Sequence, residues 1–248
     1  MSALPRTAVM LAGGLGSRLA PLTAVIPKPL VPIDRESIAE ILLQQLAFRG
    51  IQRVLVSIGY LGHLIEAVLG DGSRFGLELQ YQREDHPLGT VGPLWLLADR
   101  LPEHFLVLNG DVLSDIDFAA LLAAHTASDR TLTVATYPKQ VKVDLGVMET
   151  DASGHVTAFI EKPVYDYVVS MGVYAMSKRV LDYFRPGESF GFDQLMLAML
   201  QRGDPVGTFD WGDGRWLDIG RPVDFALAQE SFQTDRAFYK PWLAKEEA

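Results

Sequence analysis

Apolar residues recur along the chain in two alternating rhythms. Thr7–Ala12 (TAVMLA) is an almost unbroken apolar run ending at Gly13-Gly14, the pattern of a short strand buried on both faces. Ser37 then opens a helix. Glu40 follows three residues later as a capping box, Ile38, Ile41, Leu42 and Leu46 form the apolar stripe, and Gly50 closes it. Arg53–Ile58 predicts the next strand, His63–Leu69 a short helix stopped by Gly70, and Leu77–Gln82 an alternating strand. Pro93–Leu101 predicts a helix with proline in its first turn, and Phe105–Leu108 a strand running into Asn109-Gly110-Asp111. Phe118–His125 predicts a helix capped by Asp117. Strand and helix alternating at this spacing imply a parallel sheet with helices on both faces.

The rhythm changes after residue 130. Leu132–Tyr137, Leu145–Thr150, Val156–Ile160, Val168–Met176 and Thr208–Trp211 predict strands, with Asp151-Ala152-Ser153-Gly154 as a hairpin turn. Lys178–Phe184, Phe192–Arg202 and Val223–Phe232 are the helical patterns there. Met10, Met171 and Met176 lie in apolar strands and are expected in the core, while Lys245-Glu246-Glu247 is expected to fray. No repeat and no linker divides the chain, so one domain spans residues 1–248.

Composition narrows the function. The 248 residues are 48% hydrophobic and 21% charged, ordinary values for a folded domain of this size. There is no cysteine, which excludes a disulfide scaffold, a thiolate metal site and a cysteine nucleophile. A net charge of −9 argues against a nucleic-acid partner. The N-terminal apolar run is too short, and too soon broken by glycines, to be a signal peptide or anchor. No stretch is long and uncharged enough to span a membrane. The expected location is the cytoplasm, with homo-oligomerisation left open.

The first strand ends in Leu11-Ala12-Gly13-Gly14-Leu15-Gly16-Ser17-Arg18. Successive glycines let backbone N–H groups form a concave anion nest. A bare glycine cluster is more often an ordinary tight turn, so the neighbours decide. A dinucleotide fingerprint needs glycine where Leu19 stands, and a P-loop needs a Gly-Lys-Ser/Thr that is missing. Present instead are Arg18 and, within Pro27-Lys28-Pro29, a lysine between two prolines that restrict its backbone. Two cations beside an anion nest suit a triphosphate.

Together with Pro87-Leu88-Gly89-Thr90, Leu108-Asn109-Gly110-Asp111-Val112, Phe159-Ile160-Glu161-Lys162-Pro163, Gly172-x-Tyr174 and Trp216-x-Asp218-Ile219-Gly220, these motifs carry a resemblance across almost the whole chain. The sequence resembles the sugar-1-phosphate nucleotidyltransferases, and within them most the catalytic domain of the mannose-1-phosphate guanylyltransferases. The resemblance implies a Rossmann-like (GT-A-like), mostly parallel sheet with a small antiparallel sugar-binding part in the second half. Residues 1–125 would then serve mainly the nucleotide and residues 126–240 mainly the sugar phosphate. Nothing matches the C-terminal β-helix of longer members, so a free-standing catalytic domain is expected.

The same resemblance assigns Asp111 and Asp218 to one Mg²⁺, a cation that favours one or two carboxylates plus phosphate oxygens. A lone aspartate at a strand end more often caps a helix or turn, the reading given to Asp115 and Asp117. Arg18 and Lys28 are expected at the triphosphate and its leaving group. Leu11, Ala12, Gly13, Gly14, Gly16, Ser17, Gly89, Thr90 and Gly110 are expected around the nucleotide. Lys162 matches the lysine that holds the sugar phosphate, and Gly146, Glu161 and Ser170 match the sugar pocket. Glu84 stands where the family reads the base. A carboxylate accepts from the two adjacent donors of guanine but is repelled by the carbonyls of uracil, which favours GTP. Arg83 and Asp85 flank Glu84 and are alternative inward residues. Leu145 and Ser170-Met171 depart from the family's Tyr and Asn-Ala, so mannose, a heptose and another modified hexose all stay open. A uridylyl- or thymidylyltransferase and a non-catalytic nucleotide-sugar sensor remain alternatives. A nicotinamide oxidoreductase is disfavoured by Leu19. The five histidines show no metal-ligand spacing and are expected at the surface or in packing.

Overall fold

The computed structural model describes residues 5–212 and 214–243, so the expected fraying of Lys245-Glu246-Glu247 lies outside the described residues. In chain order the strands are β1 (Thr7–Ala12), β2 (Pro32–Ile33), β3 (Glu36–Ser37), β4 (Arg53–Ile58), β5 (Glu78–Arg83), β6 (His104–Asn109), β7 (Val112–Ser114), β8 (Leu132–Lys142), β9 (Val147–Thr150), β10 (Val156–Ile160), β11 (Val164–Ser177), β12 (Val206–Asp210) and β13 (Trp216–Asp218). The α-helices are α1 (Ile38–Phe48), α2 (Gly62–Leu69), α3 (Phe118–Thr126), α4 (Phe192–Arg202), α5 (Pro222–Thr234) and α6 (Arg236–Tyr239).

Seven strands form the central sheet in the order β12-β8-β11-β6-β1-β4-β5. β1 pairs in parallel with both β4 and β6, β4 with β5, and β8 with β12, while β11 runs antiparallel to β6 and β8. The sheet is thus mostly parallel. The chain leaves β1 toward β4 on one side and reaches β6 on the other, so the loop after β1 sits at the switch point where open α/β sheets bind ligands.

Strand alternation builds two cores. Ala8, Met10 and Ala12 face α1, α2 and α3 through Leu42, Leu46, Ile65 and Leu121. Val9 faces the opposite layer with Leu94, Leu97, Leu195 and Met199. A third cluster joins Ile38 and Ile41 of α1 to Val31, Leu113, Ile219, Phe232 and Tyr239, seating α5 and α6. Met10, Met171 and Met176 are all buried, as their patterns require. The capping box forms: Glu40 N donates to Ser37 Oγ, and Ser37 N to Glu40 Oε2. None of the helices is long and apolar enough to cross a membrane among the described residues.

Several boundaries differ from the sequence pattern. Pro93–Leu101 is not an α-helix; Gly92–Leu97 forms a 3₁₀ helix, and so does Lys178–Tyr183. The buried Leu94 and Leu97 are eclipsed at a three-residue spacing, which suits the tighter winding. β8 runs five residues beyond Tyr137, and β11 starts at Val164 rather than Val168, because the two strands pair past the core as an exposed ribbon. β9 begins at Val147 and pairs with β10 across the predicted turn, where Asp151 Oδ1 accepts from Ser153 N and His155 N. The pair β7 and β13 and helix α6 are too short to leave a periodic signal.

His125 is fully buried in α3, its Nδ1 against Thr133 Oγ1 at 2.9 Å and its ring edge-on to His104. Burial pushes its pKa down to about 4, helped by the charges of His104, Arg179 and Arg130. The unfolded chain takes up this proton near pH 6.5, the folded chain only near 4, so stability is full above 6.5 and is lost as pH falls between them. Denaturant titration at pH 7 and 4.5 is expected to show about 2 kcal/mol more loss for the native chain than for His125→Gln.

Candidate active site

The loop after β1 is shaped by what lies against it. An added Cβ on Gly13 would stand 2.5 Å from Glu84 Oε1, and one on Gly59 would stand 2.8 Å from Gly13 O. Only glycine lets the ends of β1, β4 and β5 close this tightly. Gly16 adopts φ +62°, with its carbonyl accepting from Thr23 Oγ1 at 2.8 Å. Nothing lies within 4 Å of an added Cβ on Gly14, and Gly14, Leu15, Ser17 and Arg18 are exposed. The bend therefore opens outward and is not filled by its own side chains. Gly110 N donates to Leu11 O at 3.0 Å, tying the end of β6 to the start of the loop.

The charged residues gather at this edge. Lys28, at the start of the 3₁₀ turn Lys28–Leu30, is nearly buried and paired with Asp111 Oδ2. Asp111 Oδ1 is buried and has no hydrogen-bond partner among the described residues. Antiparallel pairing of β7 with β13 places Asp218 opposite Val112, the neighbour of Asp111. An added Cβ on Gly220 would meet Asp218 Oδ2 at 3.3 Å and Arg18 Nη1 at 3.4 Å, so that guanidinium reaches the same spot. Burial pushes the Asp218 carboxyl up, and the charge of Asp111 adds to it; Lys28 and Arg18 pull the other way. Two carboxylates crowded together, one with an orphaned buried oxygen, form a donor set that fits a hard divalent cation. No third acidic or histidine side chain joins them among the described residues.

Glu84 N donates to Ile58 O, and its carboxylate accepts from Ser57 Oγ at 2.8 Å and Leu88 N at 3.2 Å. It is therefore the inward member of Arg83-Glu84-Asp85, held under Gly13 with lone pairs to spare. Gly89, at φ +77°, packs against Phe190 O, and Thr90 Oγ1 accepts from Phe192 N at 2.8 Å.

The sugar-side residues form a second group. An added Cβ on Gly146 would meet the Phe159 ring at 2.5 Å and Glu161 Oε2 at 3.2 Å. Lys162 has φ +47°, a left-handed backbone uncommon for a non-glycine residue, and its Nζ lies 3.8 Å from Glu161. No hydrogen bond or ion pair links Lys162 to Asp111 or Lys28 among the described residues. Ser170 sits on a bulge of β11, its Oγ 3.3 Å from Tyr174 Oη and accepting from Gly172 N.

Residues outside the expected set complete the surroundings. Asn109 Nδ2 lies 2.6 Å from an added Cβ on Gly172, and Trp216 Nε1 donates to Met171 O, joining β13 to the bulge. Asp115 does not cap a helix, as its position suggested; Oδ1 accepts from Arg215 N and Trp211 Nε1 and so anchors the approach to β13. Asp117 does cap α3, accepting from Ala120 N at 3.0 Å. Asn109 and Trp216 lie inside motifs visible in the sequence, whereas Phe192 and Asp115 carry no local signal.

Fold and site together define an α/β protein with a cationic, carboxylate-bearing cradle at the switch point of its sheet. Residues 7–235 match the model of the nucleotidyl transferase family, and the chain belongs to that family. It is 35% identical over 224 residues to mannose-1-phosphate guanylyltransferase of Mycobacterium tuberculosis, covering 88% of this chain and 62% of the relative. It is 30% identical over 237 residues to the UTP–glucose-1-phosphate uridylyltransferase of Synechocystis, covering 88% and 61%. The chain thus spans about three fifths of the length of these curated relatives. The solved structure of HddC from Yersinia pseudotuberculosis complexed with GMP-PN is 26% identical, with a TM-score of 0.71, covering 92% of this chain and 99% of that one.

Proposed function

We propose that the protein transfers a nucleoside monophosphate from a nucleoside triphosphate to a sugar 1-phosphate, releasing pyrophosphate. The observation that carries this reading is the meeting of Asp111, Asp218, Lys28 and Arg18 beside an open glycine bend. The sugar phosphate is already an anionic oxygen nucleophile near neutral pH. Its oxygen attacks the α-phosphorus in line, one P–O bond forms, and the bond to the pyrophosphate oxygen breaks. No enzymic nucleophile and no general base is needed, so catalysis is positioning plus charge neutralisation. Gly13, Gly14, Gly16 and Ser17 offer N–H groups to the phosphates. Arg18 and Lys28 neutralise charge on the triphosphate and its leaving group. Asp111 and Asp218 would hold Mg²⁺, which supplies further neutralisation of phosphate charge. Lys162 holds the sugar phosphate, with Gly146, Glu161 and Ser170 around the sugar.

GTP is the favoured nucleotide. Glu84 is oriented by two donors beneath the loop, and its purely accepting carboxylate is the group assigned to the adjacent donors of guanine. The guanylyltransferase relative and the GMP-PN complex support guanine, while the uridylyltransferase relative is the reason to test UTP and dTTP too. For the sugar, mannose, a heptose or another modified hexose is proposed. The testing experiment is a matrix of the four ribonucleotides and dTTP against sugar 1-phosphates, read by pyrophosphate output with Mg²⁺ present. Turnover highest with GTP is expected. Preference for UTP or dTTP removes the Glu84 assignment, and nucleotide-sugar binding without turnover favours a sensor.

A further inference from the structure

The nucleotide loop, residues 87–92 with Gly89 and Thr90 expected at the nucleotide, is bonded to a segment far along the chain. Phe190 N donates to Leu88 O at 2.9 Å, and Phe190 O accepts from Val91 N and Gly92 N at 2.9 and 3.1 Å. These are backbone bonds and survive any side-chain change. The bond from Phe192 N to Thr90 Oγ1, at 2.8 Å, depends instead on a side chain. Phe192 is the first residue of α4, and its N–H has no partner within the helix. The preceding cap position is Gly191, which has no side-chain acceptor to offer. Thr90 therefore caps α4 from another part of the chain.

What that cap holds is the Phe192 ring. It stacks on Tyr174 with centroids 4.1 Å apart and planes 27° apart. Tyr174 Oη meets Ser170 Oγ, which accepts in turn from Gly172 N. Gly172, at φ +72°, lies against Asn109, two residues before Asp111. A continuous line of contacts thus runs from the nucleotide loop, through one hydroxyl and two stacked rings, to the bulge on the sugar side.

We propose that Thr90 is a positioning residue of the sugar-phosphate pocket, acting through Phe192 and Tyr174 to couple that pocket to the nucleotide loop. The proposal rests on the transferase reading above and departs at one residue from what the family resemblance implies, since Thr90 then acts on the sugar phosphate rather than on the nucleotide. Thr90→Val keeps the shape and removes the acceptor. It is expected to raise KM for the preferred sugar 1-phosphate about fivefold to tenfold, the scale of one lost hydrogen bond, and to move KM for the triphosphate less than about twofold. Thr90→Ser retains the acceptor and restores the native values. Phe192→Ala produces the same split, and adding Thr90→Val to it has no further effect, because the hydroxyl acts only through that residue. A rise in the triphosphate KM with the sugar-phosphate KM unchanged overturns the proposal, as does full additivity of the two substitutions. Thermal unfolding of each variant separates a folding defect from a kinetic one. A native chain that releases no pyrophosphate with any pair defeats the transferase reading and this proposal with it; an active native chain whose Thr90→Val variant has a nucleotide defect defeats this proposal alone.

Discussion

Replacing Asp111 with alanine is expected to lower pyrophosphate release by about a thousandfold, with little left to recover at high Mg²⁺. The carboxylate does two things at once. One oxygen pairs with Lys28, which is almost wholly withdrawn from water; the other is buried and has no hydrogen-bond partner among the described residues. Removing the side chain discards the ligand oxygen and strands a buried cation, which costs about 3 kcal/mol of stability. Asp111→Asn separates the two effects. It keeps the shape and a neutral oxygen near Lys28 but loses the charge, so it is expected to fold better than the alanine variant and remain nearly as slow. The measurement is pyrophosphate release across a Mg²⁺ titration at a temperature where circular dichroism shows both variants folded. Retention of more than about a tenth of native turnover by Asp111→Asn would remove the metal assignment.

The sheet was legible because its strands are short, apolar and bounded by glycine, and because α1 carries its own start and stop signals in Ser37, Glu40 and Gly50. Local pattern also marks the glycine loop, while Asp111 and Asp218 stand out only through the family resemblance of their motifs. No local period shows why the two acids meet: that is done by β7 and β13, three residues each, whose pairing is set by contacts distant in sequence. Asp115 shows the same limit. As a lone aspartate before a helix it resembles a cap, yet its partners come from the approach to β13. The start of the 3₁₀ stretch Gly92–Leu97 is bonded to Phe190, whose carbonyl takes the N–H groups of Val91 and Gly92. Long-range backbone bonds of this kind leave no period in the sequence. The exposed ribbon of β8 and β11 extends beyond the patterned core for the opposite reason: its side chains are not sorted into a buried and a solvated face, so alternation ends before the strands do.

The same dependence on distant contacts predicts that Lys240→Met lowers stability by about 3 kcal/mol. Lys240 follows α6 and is almost fully buried, its ammonium paired with Glu36 of β3. Burial alone would push the Glu36 carboxyl up. Hydrogen bonds from Lys240 and Gln44 and the charges of Lys240 and Arg236 outweigh it and hold the group below its usual range. The residue after Gln44 adds to this: Gln45 Nε2 donates to Ser114 O and to Tyr239 O, both at 2.7 Å, tying β7 and the end of α6 to α1. Methionine fills the space but gives up the ammonium, both over the Trp242 ring and against Glu36, so the loss reports a half-buried carboxylate left with Gln44 and the more distant Arg236 rather than a cavity. Urea unfolding should show a lower midpoint at unchanged slope. Glu36→Leu combined with Lys240→Met should recover most of the loss, because no charge is then left without its partner. A single variant within about 0.5 kcal/mol of native would mean that the pair is solvated and that the C-terminal helices are held by the apolar cluster around Phe232 and Tyr239 and by the Gln45 bonds.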